Sequence, residues 1–422
     1  MRSGTPRSKV RRESMAKGYA WQFKSSIRAN AFGWHGGRLA STRLKEAVSE
    51  IKKVGKSDPI AAADGAVTLI ERLWPALQGV DDSSGALGSA VRRSLDALIP
   101  LVVSSSADSN TRREWMERLY EAVCEDGVDC LAPVEEKWGA LCASSDLAGE
   151  WVDRLLPLVR RTWSSSEPGG WAKGAPLCLS CLLETGRFEE LHALLALQTH
   201  KFWHFEMFGV MALARQGRIN EAIAYAEACR GERYDDGGIS RFCEELLLKA
   251  GRRDEAYSQY GFVAAGGPTR LAVFNDLVRK YPERDHRRML LDLVEREGNE
   301  GKWFAAAKHA SFMELALKYA ASSSADPATL IRASRDHAKS EPMWATRIAL
   351  HAIESLLRGG GYDPIPLDIL NAHQFLMEAA ANIGQNDWAQ KEVEATVSRG
   401  AVGGREDMLK TLVNAVRRAR VQ

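Results

Sequence analysis

A chain of 422 residues is long enough for two or three domains or one extended repeat array, and 45% hydrophobic with 27% charged residues is the balance of a folded protein. The apolar stretch Ala97 to Val103 is interrupted by Pro100, and no stretch approaches the roughly 20 apolar residues that span a bilayer, which excludes a helical membrane segment. Seven cysteines, an odd set scattered through helical text, do not make a disulfide framework, so a reducing cytoplasm is expected.

The net charge of +2 conceals an asymmetry: residues 1–56 hold 14 Lys/Arg against 3 Asp/Glu, leaving 43 basic and 52 acidic residues for the remainder. The start is rich in Arg and Ser without an apolar core, which does not suit a secretory signal. Met15 offers a second possible start, so the first 14 residues read as an upstream extension as readily as a functional tail. Residues 1–40 are expected to form a basic, flexible N-terminal segment. Within it Arg11, Arg12, Lys17, Lys24 and Arg28 are interleaved with Tyr19, Trp21, Phe23, Phe32 and Trp34, the mixture of charge and rings that nucleic-acid arms use. The same rings suit packing under the first helix.

Residues 41–165 read as an N-terminal helical subdomain. Leu44, Val48 and Ile51 recur at helical spacing up to Gly55. Ser57, Asp58 and Pro59 then give a helix start, a capping side chain followed by proline in the first turn. That helix runs to about Gln78, with a kink expected at Pro75. The run Asp81, Asp82, Ser83, Ser84, Gly85 reads as a capped turn, since it lacks the further oxygen ligands of a calcium loop. Helices follow over 111–124, 133–142 and 147–163, and Ser164 to Gly170, small and turn-forming, is the expected internal junction.

Residues 166–400 carry a repeat. Gly186-Arg187, Gly217-Arg218 and Gly251-Arg252 each follow an apolar helix and precede another, the glycines lying 31 and 34 residues apart. The glycine supplies the left-handed residue on which helices commonly end. Weaker echoes occur at Gly301 and Gly384, and Glu406 to Arg420 reads as an amphipathic capping helix within a terminal segment 401–422. The expected fold is therefore all-α, an α-α superhelix built as a TPR-like helical hairpin solenoid.

This text resembles tetratricopeptide-like repeats, without the Trp, Tyr and Pro signature of the strict repeat. Together with Val80 to Gly88 and Glu300 to Lys308, it also resembles an uncharacterised bacterial family of TPR-like helical-repeat proteins, related to helical regions found beside SWIM-type zinc fingers. That resemblance implies the fold and no activity. The Cys-x-Cys and Cys-x-His pairs of a SWIM finger are missing here, so its nucleic-acid role does not transfer.

No P-loop, dinucleotide fingerprint, nucleophile elbow or His-Glu-x-x-His helix occurs. Cys178-x2-Cys181 with His200-x3-His204 has the end spacings of a zinc site, but 18 residues separate the pairs and both cysteines fall inside a helix, where they read as core. No metal and no cofactor is expected. Trp203, His204, Arg241 and Glu245 lie on the first helices of hairpins, the ones that line the inside of such a curve, and are the candidate partner-binding residues. The function these features imply is a non-enzymatic scaffold for a protein or peptide partner, with nucleic-acid association through the basic N-terminal segment as the alternative.

Overall fold

Six helix starts in this protein are set by short polar side chains that satisfy the first unpaired backbone N–H groups. Asp58, Asp108, Ser144, Thr269, Asp285 and Asp326 all accept hydrogen bonds from first-turn amides. A computed structural model describes residues 19–164, 172–198, 200–231, 236–402 and 405–419, and among these residues every regular element is helical. Helices pack mainly on their sequence neighbours, as an α-α superhelix requires. The chain divides into two compact units, one ending at Ile239 and the other beginning at Ser240.

The first unit comprises α1 (Phe23–Ser26), α2 (Gly37–Val54), α3 (Pro59–Leu77), α4 (Ala86–Val103), α5 (Ser109–Glu125), α6 (Ala132–Glu136), α7 (Trp138–Cys142), α8 (Ser145–Trp163), α9 (Ala175–Glu184), α10 (Phe188–Leu195), α11 (Trp203–Arg215) and α12 (Ile219–Ala228). Helix α3 is apolar nearly all round, with ten residues buried, and α2, α4 and α5 pack against it. It continues through Pro75 to Leu77. The turn before α4 is capped as its composition implies: Asp82 accepts from the N–H groups of Leu87 at 2.8 Å and Gly88 at 2.7 Å. Trp115, Trp138, Trp151 and Trp163 are core residues, and Trp138 meets Trp151 edge-on at 5.1 Å between ring centroids.

The charge at the C-terminal ends of α4 and α7 is handled by a buried arginine. Arg112, 3% exposed, donates to the carbonyls of Val102 at 2.6 Å, Ser105 at 2.6 Å and Leu141 at 3.1 Å. These are carbonyls that a helix end leaves without an intrahelical partner, and the negative end of each helix dipole faces the guanidinium. Burial pulls the Arg112 pKa down from its ordinary value.

The basic N-terminal segment is folded from residue 19 onward. Trp21, Phe23, Ile27 and Phe32 are buried, and a Cβ at Gly65 of α3 would stand 2.2 Å from the Trp21 ring, so the indole occupies the space that glycine leaves. Glu50 of α2 accepts from the backbone N–H groups of Gln22 and Phe23, holding α1 in place. Arg11, Arg12 and Lys17 lie outside the described residues, as do positions 165–170 of the expected junction. The helices that flank this junction, α8 and α9, pack on each other within the first unit.

The second unit continues from α13 (Asp236–Lys249), within which the division falls. It holds α14 (Arg253–Ala256), a π-turn (Tyr257–Gly261), α15 (Phe262–Ala264), α16 (Arg270–Lys280), α17 (His286–Glu297), α18 (Phe304–His309), α19 (Met313–Ala320), α20 (Pro327–His337), α21 (Pro342–Leu357), α22 (Pro366–Ala381), α23 (Asn386–Arg399) and α24 (Glu406–Ala419). Met408, Leu412 and Val416 recur every fourth residue and bury one face of α24 against α21, α22 and α23, the capping role its amphipathic text implies.

The hairpin turns share one geometry. Gly186, Gly217 and Gly251 have φ of 72°, 78° and 76°. In each, the glycine N–H bonds to the carbonyl three residues back, and the following arginine's N–H bonds to the carbonyl five back, the Schellman arrangement. The side chain of that arginine then forks onto the glutamate three residues later. Arg187 to Glu190, Arg218 to Glu221 and Arg252 to Glu255 each make two bonds of 2.5–2.8 Å. The echo at Gly384 forms the same backbone turn. The echo at Gly301 does not: this glycine sits in a short 3-10 turn (Glu300–Trp303), where a Cβ would lie 2.2 Å from the Ala325 nitrogen, so it is there for close packing. The corresponding hairpin turn falls at Ser311, a left-handed non-glycine residue with φ 61°.

Candidate functional site

The four residues expected on an inner face are divided between the units, two in each. Trp203 and His204 open α11 in the first unit. Trp203 is half-buried, and the His204 ring packs at 4.0 Å from the Phe205 ring and 5.6 Å from that of Phe202. Crowding by these rings lowers the His204 pKa, with Asp129 opposing the shift, while more than a third of the residue's surface stays open. Arg241 and Glu245 are exposed one turn apart on α13 in the second unit, and Glu245 pairs with Lys249 at 2.6 Å. Cys178 and Cys181, the tempting half of a zinc pattern, are fully buried in α9, and Cys181 shares a hydrogen bond with Cys142. Burial pushes the Cys178 thiol up to about 12.

The structure relocates the basic character of the N-terminal region. Lys24 and Arg28 are exposed, but the rings beside them are mostly in the core and unavailable for stacking on bases. Positive charge is concentrated instead on α2. Lys45, Lys52, Lys53 and Lys56, with Arg93 of α4, line a groove of about 680 Å³ whose carbon lining includes Val48, Ala90 and Ala97. No carboxylate lines it, and none of these five cations forms an ion pair among the described residues. A seven-residue spacing places Lys45 and Lys52 on one strip of the helix, Lys56 follows in the turn just past its end, and Arg38, exposed and without an ion pair among the described residues, extends the strip toward the N-terminus. The carboxylates of α2 do not line the groove: Glu46, on the strip of Lys53, is engaged by Arg43, and Glu50 by the α1 backbone. The signal was present in the sequence as a helical strip of lysines without an intervening acid.

In the second unit four of the large apolar residues left outside the core lie just before and at the start of α22. Tyr362 is fully exposed and Ile365, Leu367 and Leu370 are 53%, 55% and 37% exposed. In the loop before α22, Gly359 and Gly361 take φ of 87° and 93°, and Asp368 accepts from the Ile365 N–H at 2.9 Å. No repeat signature marks this stretch.

Several carboxyls are buried away from these surfaces. Glu206, 1% exposed, accepts from the Tyr225 hydroxyl, and burial raises its pKa. Glu244 holds the Tyr281 hydroxyl at 2.8 Å and Lys280 at 2.7 Å, tying α13 to α16. Glu135 of α6 is pushed up to about 7, chiefly by burial and then by Asp129 and Asp126. Glu206 and Glu244 already have tyrosine partners that explain their burial as structural cross-links between helices.

Compared with protein families, with curated proteins and with solved structures, the chain finds no match, so its function is argued from these surfaces alone.

Proposed function

We propose that the protein is a non-enzymatic interaction scaffold, a helical-hairpin array that offers its surface to a protein or peptide partner in the cytoplasm. The observation that carries this reading is the exposed apolar stretch Tyr362–Leu370, which runs from the loop into the first turns of α22, since large apolar side chains left outside a well-filled core commonly mark interaction sites. The Asp368 cap on the Ile365 N–H adds to it by holding the entry to α22 before a partner arrives. Seven cysteines without a disulfide fit a reducing compartment, and no helix among the described residues is long and apolar enough to cross a membrane.

The test is capture from the native host with the wild-type chain, followed by direct affinity measurement of the recovered partner against two double variants. Tyr362→Ser with Leu367→Ser alters the exposed stretch; Trp203→Ala with Arg241→Ala alters the hairpin surfaces. Apolar, aromatic and arginine anchors each carry about 2 kcal/mol at such contacts, so the variant that touches the interface should weaken binding by about 30-fold or more with its helical signal intact. Unchanged affinity in both folded variants sinks the reading. A second reading, association with nucleic acid, draws on one observation, the α2–α4 groove and its unpaired cations.

A further inference from the structure

We infer that the groove between α2 and α4 binds the phosphate backbone of a nucleic-acid duplex, independently of base sequence. Its lining supplies charge and little else. Five cations converge on it without a carboxylate among them, so the field in the groove is uncompensated and favours an anion. From Arg38 to Lys56 is 18 residue steps, which at about 1.5 Å each, counting the turn just past α2, extend roughly 27 Å. A single phosphate or nucleotide would meet one or two of these side chains. A duplex, with one phosphate per about 3.4 Å on each strand, passes about eight phosphates of a strand along the same length.

The chemistry of the lining also narrows the ligand. Lysines dominate, point charges that neutralise phosphates without the fork that reads guanine edges. No aromatic residue lines the groove, so it offers no platform for unstacked bases of a single strand. An acidic peptide would need apolar anchors to bind tightly, and Val48 with two alanines offers no pocket for them. Backbone contact alone remains, the kind of binding that positions a protein on a duplex and carries no sequence information.

The experiment is fluorescence anisotropy of the full chain with duplex DNA of about 20 base pairs in two unrelated sequences, titrated between about 50 and 200 mM salt. Neutralising five phosphates gives a log–log slope of about −4.5, hence about 500-fold weaker binding across that range, equal for both sequences. Lys52→Gln, Lys53→Gln and Lys56→Gln together should reduce the slope by about 2.7 and weaken low-salt binding at least about tenfold. The matched change Lys302→Gln, Lys339→Gln and Lys391→Gln, exposed lysines of the second unit, removes the same charge and should leave binding within about twofold. A full chain with Arg11, Arg12 and Lys17 changed to Gln should keep the groove's contribution. The inference is overturned if wild type does not bind at low salt or if the groove variant loses no more than the matched one. It is equally overturned if only the Arg11/Arg12/Lys17 change abolishes binding, or if single strands, inorganic polyphosphate or a poly-glutamate peptide of equal charge bind as tightly as the duplex.

Discussion

Arg112 offers the sharpest test of how the first unit is held together. Its guanidinium makes three bonds to carbonyls at and just past the ends of α4 and α7, and among the described residues no carboxylate pairs with it. Hydrogen bonds from a charged donor contribute about 1.5–3 kcal/mol each, so three are worth roughly 5–9 kcal/mol. Against that stands the cost of burying the charge, several kcal/mol. Arg112→Met removes both, leaving the carbonyls unpaired, and should cost about 3 kcal/mol. Arg112→Lys keeps the charge but loses the planar fork that reaches three acceptors, and should be at least as destabilising as methionine. Urea unfolding followed by tryptophan fluorescence reads the change, because Trp115 lies 5.5 Å from the guanidinium and Trp138 begins α7. A methionine variant within about 0.5 kcal/mol of wild type would mean that the three carbonyls are satisfied in another way. A lysine variant near wild type would mean that charge at the helix ends, and not the fork, does the holding.

Two further outcomes follow from the backbone and the buried acids. The Glu135 carboxyl is raised from 4.5 to about 7, so folding takes up a proton between those values and stability falls as pH rises through the folded pKa. Glu135→Gln should therefore stabilise on the order of 3 kcal/mol at pH about 8 and far less at pH about 5; a pH-independent difference in denaturation midpoints refutes the assignment. Gly217→Val forces a β-branched residue into φ 78° and should cost at least about 1–3 kcal/mol, whereas Ser311→Gly, at φ 61°, should gain up to about 1 kcal/mol. Melting temperatures that move together, or in the reverse sense, would contradict the shared turn geometry.

The helical class and the three main hairpins were legible because their turn chemistry is local: a glycine that must be left-handed, an arginine after it, and a glutamate within reach of that arginine. The same reasoning failed at Gly301, where a glycine selected for close approach to Ala325 imitates a turn, while Ser311 takes the left-handed place without the residue that announces it. Aromatics near the N-terminus were ambiguous between stacking and packing until Trp21 was seen against Gly65. The lysine groove was hidden for a different reason. Charge summed along a segment does not separate the faces of a helix, and Glu46 and Glu50, close in sequence to Lys45 and Lys52, do not line the groove. The hairpin residues Trp203 and Arg241 were grouped by repeat position, whereas compactness separates them within α13, a helix with no break signal at the division.

The cysteines have a practical consequence. None of the seven is in a disulfide, and six lie in the first unit, spread from α5 to just beyond α12. Cys142, Cys178 and Cys181 are sealed in the interior, where burial disfavours the thiolate of Cys178, and the hydrogen bond to Cys142 together with burial disfavours that of Cys181; Cys124 and Cys130 are partly open, although burial raises the Cys130 thiol as well. An alkylating reagent meets the sealed thiols only when the packing around α7 and α9 opens, so its rate at each position reports the frequency of local opening. The chain thus carries its own set of clocks for native-state breathing, readable by mass spectrometry without adding a label.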